Sequence, residues 1–405
     1  MQTEKPRTYR ARWAVLFAYS LVTLTLQLEW LTFAPVASEA RAVYGVGAFE
    51  IDLLSLIFMA VFILTCIPAS WVIDRFGLRV GVGLGAALTG IFGLVKGLGA
   101  ESYATVAAAQ VGLAVAQPLV INAVTKLAAS WFPIEERATA VGLATLAQFI
   151  GIIVAMVLTP GLVDRTSTGW DLQGMLLTYG VAAAVAAALG LALIREKPPT
   201  PPGTEVAAER LLTWSGIRHM FRQRDMLLLT LVFFIGLGTF NALSTCIDQL
   251  CADKHLDTEE TGLVGGMMLI TGVVGALIWP ILSDRRRRRK PFLVLALAAT
   301  APALAGLYLL DGFVPLVIAS GVLGFFLLGA GAPIGFQYAA EVSYPAAESR
   351  SQGLILLAGQ VSGIVFIVGI NTLGIMPLMV VFIALALLAT ALALSLRESP
   401  RILSA

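Results

Sequence analysis

Ala147-Gln148-Phe149-Ile150-Gly151-Ile152 is the stretch that decides the fold, because it returns 212 residues later as Gly359-Gln360-Val361-Ser362-Gly363-Ile364. A polar amide beside a small residue, with a glycine three positions on, is unusual inside an apolar run. Two further matches keep nearly the same offset. Trp131-Phe132-Pro133 with Glu136-Arg137 recurs as Tyr344-Pro345 with Ser349-Arg350, and Asp74-Arg75 recurs as Asp284-Arg285. Chance accounts for one such pair. Three at equivalent places along the chain mark a duplicated unit.

Composition says what solvates that unit. Hydrophobic residues make up 58% of the 405 residues and charged ones 13%, with a mean hydropathy of +0.87. A soluble domain carries about a quarter charged residues, so water cannot cover this chain and lipid must. The net charge of +2 argues against a nucleic-acid partner. Cys66, Cys246 and Cys251 fit neither a disulfide framework nor a zinc spacing and read as small apolar fillers. His219 and His255 fall far apart in predicted loops, so no metal and no cofactor is expected. The first apolar stretch runs well past a signal-peptide core and is expected to stay as an anchor.

A bilayer core needs about 20 apolar helical residues. Twelve candidates meet that length, roughly 13–37, 51–73, 80–100, 103–132, 138–163, 173–194, 226–252, 260–283, 291–310, 313–344, 351–370 and 377–396. The segment 195–225, rich in proline and charge, divides them six and six, so the expected units are 1–194, a cytoplasmic linker 195–225, and 226–405. Trp214 and Phe221 suggest an amphipathic surface helix in that linker. With the N-terminus inside, 22 of the 27 Lys and Arg residues lie on the cytoplasmic side and only Arg41, Arg165 and Lys254 outside. That asymmetry predicts both termini in the cytoplasm. The Arg285–Arg289 run reads as a topology determinant of the same kind, with an anionic-lipid switch as the alternative. A plasma (inner) membrane location, surrounding lipids and a monomer are expected.

Two parallel six-span halves with a site between them are the plan of the major facilitator transporters. Asp74-Arg75-Phe76-Gly77-Leu78-Arg79 resembles their signature between spans two and three, with Ser70 in place of the leading glycine. The expected fold is therefore all-α, twelve transmembrane helices in two pseudo-symmetric six-helix bundles. A closer resemblance rests on Gln27-Leu28-Glu29-Trp30, Ala116-Gln117-Pro118, Ala129-Ser130-Trp131-Phe132 and Asn241-Ala242-Leu243-Ser244-Thr245 with Asp248-Gln249. Gly335-Phe336-Gln337-Tyr338-Ala339-Ala340-Glu341, Ser343-Tyr344-Pro345, Gly353-Leu354 and Gln360 with Gly363-Ile364 continue it. In that order these resemble the feline leukaemia virus subgroup C receptor-related family, whose members move choline, ethanolamine, haem-related or pyridoxine-like solutes. The resemblance assigns the first-span aromatic to Trp30 and the family glutamines to Gln117 and Gln360. It departs at Glu29, where animal members usually carry glutamine, at Phe240-Asn241, often two tyrosines, and at Asp248, often asparagine.

An ionisable group inside a span is a functional candidate by default. Glu29 beside Trp30 suggests a cation site, the indole face adding about 0.5–2 kcal/mol of cation–π attraction. Neighbours on a helix point about 100° apart, so one of the two alternatively faces another helix. Gln117, Gln148, Asn241 and Gln360 are mid-span amides, fit either to hold a substrate or to join helices. The repeat offset pairs Glu29 with Asn241 across one cavity. Phe240, Phe336 and Tyr338 are walls of that cavity or core. For gating the candidates are Asp74, Arg75 and Arg79, their counterparts Asp284 and Arg285, and a Lys126–Glu341 salt bridge, with snorkelling to headgroups as the alternative. Glu29 and Asp248 are the proton-coupling candidates. The expected activity is alternating access for a small organic solute, an organic cation such as choline. The rival is proton-coupled carriage of a neutral or anionic solute. A channel, a receptor or an enzyme fits the pattern less well.

Overall fold

The computed structural model describes residues 9–133, 136–166, 169–199, 223–343 and 348–398. The linker centre 200–222, with Trp214 and Phe221, and the Tyr344-Pro345 loop lie outside the described residues. Twelve helices within them are long and apolar enough to cross a bilayer. They are Ala11–Tyr44, Ala48–Phe76, Leu78–Leu98, Tyr103–Trp131, Thr139–Leu162, Gln173–Leu193, Arg224–Thr245, Thr258–Arg285, Lys290–Leu309, Phe313–Ala339, Gly353–Leu373 and Ile375–Leu394, called here spans one to twelve. Leu64, Trp71, Leu277, Leu309, Ile318 and Leu387 stand exposed around the outside, the surface that acyl chains solvate. Between spans five and six a short hairpin pairs Asp164–Thr166 antiparallel with Gly169–Asp171.

Packing repeats with the sequence. Span one packs on five as span seven packs on eleven; three on six as nine on twelve; two on four as eight on ten. Small residues permit it. A Cβ on Gly180 would lie 2.4 Å from Gly93 O, and one on Gly275 would lie 2.4 Å from Phe325 O, so these helices touch backbone to backbone. The two halves meet through span two on eleven and span five on eight, themselves a repeat-related pair. Gly262 and Gly266 serve that second contact, pressed against Met156 O and Val157.

The glycine of the opening motif now has a physical role. A Cβ on Gly151 would lie 2.2 Å from Leu24 O, and one on Gly363 would lie 3.0 Å from Asn241 Cβ. Each copy lets its span press against the first span of its own half.

Several spans are not single helices. The first is helical over Ala11–Trp30, turns, and resumes over Ala37–Tyr44. Pro35 causes this: it has no N–H for the carbonyl of Leu31 and clashes with it. The seventh, expected as continuous over 226–252, stops at Thr245 and resumes over Ile247–Asp253. In the tenth, Gly324–Gly331 winds as a wider π turn between Phe313–Leu323 and Ala332–Val342. There a Cβ on Gly324 would lie 1.7 Å from Met268 O, so span eight runs directly against it.

Candidate functional site

Three amides of the first half meet at mid-depth. Gln117 Nε2 donates to Gln27 Oε1 at 3.5 Å, and Gln27 Nε2 donates to Gln148 Oε1 at 3.3 Å. These are long for hydrogen bonds, so the amides exchange them for other partners at small cost. Gln27 belongs to the quoted first-span motif, but only the packing of span one on Gly151 reveals it as the link. In the second half Asn241 Nδ2 donates to Gly359 O at 3.2 Å. Gln360 is half-buried, and its side chain has no hydrogen-bond partner among the described residues. Phe240 is buried. Phe336 stacks on Phe233 with centroids 5.0 Å apart. Tyr338 is fully buried and its hydroxyl donates to Arg397 O at 2.8 Å; it ties span ten to the chain end and is no cavity wall.

Glu29 sits differently from the expectation. It is fully buried and ion-paired with Lys96 of span three, also fully buried. Its charge is matched inside the first half and does not face Asn241. The reasoning that an extra acid implies a cationic substrate therefore fails at this residue. Trp30 is fixed edge-on to span two: its Nε1 donates to Ser55 O, and Ser55 Oγ donates to Trp30 O, each at 3.2 Å.

Two faces flank the amides. Call terminal the face where Ala11 begins span one and Leu394 ends span twelve, and distal the other. At the distal face the halves are bonded together. Asp52 Oδ2 accepts from Asn371 Nδ2 at 2.6 Å, from Gln249 Nε2 at 2.7 Å and from Cys246 Sγ at 3.2 Å. Ser38 Oγ donates to Asp248 Oδ2 at 2.6 Å, and Thr258 Oγ1 donates to Glu39. Burial pushes the Asp248 carboxyl up to about 6, against the Ser38 hydrogen bond and helped by the neighbouring Glu39. Asp52 drew no notice in the sequence because it stands at a span end, where a charge is ordinary.

At the terminal face the gating candidates pair within their own halves. Lys126 Nζ donates to Ile73 O at 2.6 Å and lies 4.0 Å from Asp74. Arg289 joins Asp284 at 2.5 Å and Glu341 at 3.1 Å. The expected Lys126–Glu341 bridge is thus not formed, since each has a nearer partner. Arg75, Arg79 and Arg285 are exposed. Two glutamates unremarked in the sequence take repeat-related places. Glu196 accepts from the backbone N–H of Leu78 and Arg79 at 3.0 and 2.8 Å, starting span three. Glu398 accepts from those of Arg289 and Lys290 at 2.7 and 3.2 Å, starting span nine. A carboxylate on free N–H groups at a helix start is favoured by the helix dipole. Among the described residues no hydrogen bond or ion pair joins the halves at this face.

The Major Facilitator Superfamily model matches residues 15–367 and again 249–402. Solute carrier family 49 member A3 of Danio rerio is 32% identical over 90% of this chain and 79% of its own. The human choline/ethanolamine transporter FLVCR2 is 29% identical over 88% of this chain and 71% of its own. Among solved structures, a bacterial homolog of the human lysosomal transporter Spinster, inward-facing and unoccupied, superposes with a TM-score of 0.75. It is 18% identical and covers 97% of this chain and 100% of that one.

Proposed function

The chain belongs to the Major Facilitator Superfamily and, within it, to the feline leukaemia virus subgroup C receptor-related family, and on that premise we propose that it carries a small organic cation such as choline or ethanolamine by alternating access. The observation that carries this reading is the make-up of the mid-depth site: amides and an indole, with the nearby Glu29 already paired with Lys96. A quaternary ammonium needs no carboxylate there. It is held by an aromatic face, and the hydroxyl of a choline-like solute is held by amides. In this reading Trp30 supplies the face, Gln117 and Gln360 the hydrogen bonds, and Gln148, Asn241 and Phe240 the surrounding wall. Relatives named as choline/ethanolamine transporters are the second support.

The moving units are residues 1–194 and 226–405, joined by 195–225. The lysine and arginine asymmetry puts the terminal face in the cytoplasm. The structure is then the state closed to the outside. A second reading, proton-coupled carriage of a neutral or anionic solute, draws on Asp248, a buried acid at the closed face. Glu29, paired with Lys96, is its other candidate.

The test is choline binding to purified protein. Trp30→Ala should weaken it by roughly 2- to 30-fold, the value of a cation–π contact of about 0.5–2 kcal/mol. Trp30→Phe should weaken it less. Unchanged choline affinity in Trp30→Ala, or no choline binding by the wild type, contradicts the reading.

A further inference from the structure

The end of the first helix has a problem that the lysine of span three helps to solve, together with Thr32, Ser55 and Gln110. A helix leaves its last four carbonyls without intrahelical donors, and here they are buried away from water. Thr32 Oγ1 donates to Leu28 O at 2.8 Å, and Ser55 Oγ to Trp30 O at 3.2 Å. The carbonyl of Glu29 receives Lys96 Nζ at 3.3 Å and Gln110 Nε2 at 3.5 Å. The same ammonium contacts Thr32 Oγ1 at 3.3 Å, pairs with the Glu29 carboxylate and stands 5.3 Å from the centre of the Phe33 ring. One cation thus meets the backbone, a hydroxyl, an acid and an aromatic, all within five residues of the break. A positive charge at the carbonyl end of a helix also answers its dipole.

The repeat supplies an internal control. The seventh span breaks at the equivalent place, at Cys246, and there the hydroxyls of Ser244 and Thr245 are buried without partners, with no ion pair among the described residues. A break of this kind therefore does not require a lysine. What distinguishes the first break is Trp30, the residue next to Glu29.

We propose that Lys96 is a positioning residue for the substrate site: a cation built into the protein that fixes the end of the first helix, and through it the aim of the Trp30 ring, without touching the substrate. Glu29 is present to balance it. The proposal rests on the reading of Trp30 as a substrate contact.

Lys96→Met alone would strand a buried carboxylate, so the test removes both charges with Glu29→Gln/Lys96→Met. Replacing a buried ion pair by neutral groups is compatible with folding. Choline affinity is measured with and without Trp30→Ala in both backgrounds. If Lys96 acts through Trp30, the double variant loses affinity about threefold or more, with a smaller change in maximal transport rate. Adding Trp30→Ala then costs under about twofold, because coupled residues are not additive. Penalties that simply multiply overturn the proposal and leave the site reading intact. A wild-type protein indifferent to Trp30→Ala overturns both. Lys96→Arg guards against misfolding of the double variant. It keeps the charge, but a planar guanidinium cannot reproduce the ammonium's contacts, so choline affinity should fall and the Trp30→Ala loss should shrink. Wild-type affinity in Lys96→Arg also overturns the proposal.

Discussion

The two faces of the molecule handle charge in opposite ways. At the distal face the acids Glu39, Asp52 and Asp248 accept hydrogen bonds from the other half. At the terminal face Arg12–Glu136, Lys126–Asp74 and the Arg289–Asp284–Glu341 cluster each stay inside one half. Contacts between halves hold a carrier in one state; contacts within a half survive the transition. Among the described residues, then, the bonds between halves lie at the distal face, which under the proposed cycle is the latched end.

Spin labels replacing Ala42 and Glu259 span the distal face, and labels replacing Thr139 and Arg286 span the terminal one; Cys66→Ser, Cys246→Ser and Cys251→Ser remove background thiols. The largest effect is expected for Asp52→Ala, which deprives three donors of one buried carboxylate. Hydrogen bonds to a charged group contribute about 1.5–3 kcal/mol each, so the loss of even one of the three should shift the distal distances toward long values by roughly 10- to 100-fold in population. Unchanged distances would remove Asp52 from the latch.

A smaller effect is expected from pH. Asp248 is held at about 6 in the closed face against an ordinary 3.8, so the closed state binds its proton more tightly. Closure is then favoured as pH falls through about 6 and disfavoured as it rises, a change of roughly tenfold between pH 7.5 and 5. Glu39 and Arg41 border the same carboxyl, and Asp52 is a second buried acid of the same latch, so Asp248→Asn is the control and should reduce the response. A distal distance distribution as pH-sensitive in Asp248→Asn as in the wild type would assign the effect elsewhere.

The smallest effect on stability is expected at Asp74, half-exposed and 4.0 Å from Lys126. Such a pair contributes under about 1 kcal/mol. Asp74→Asn should leave melting temperature and choline affinity near wild type while slowing transport, because the residue works only when the terminal face closes. Loss of affinity equal to the loss of rate would place it in the site instead.

The fold was legible because a bilayer asks for a fixed length of apolar helix, and the repeat sets the spans six and six. The interruptions were less so: Leu31-Thr32-Phe33 continues an apolar pattern, and only Pro35 marks the turn. The mid-span amides were visible as polar residues in apolar runs, whereas their connection through Gln27 needed the close approach at Gly151. The Glu29–Lys96 pair joins residues 67 positions apart, and no periodicity links them. A signal was present all the same. Glu29 and Lys96 each stand 18 residues after the start of their helices, Ala11 and Leu78, and both helices run from the terminal face, so opposite charges lie at equal depth. The expected Lys126–Glu341 bridge would join the halves at the terminal face, and here each residue is held by a partner in its own half.

Alternating access itself is tested by measuring both label pairs in wild-type sequence carrying only the labels and the cysteine replacements, in proteoliposomes with and without a choline gradient. The account predicts short distal and long terminal distances at rest, and under the gradient a second population with the two reversed. Both faces widening together, or neither changing while choline is transported, would contradict it.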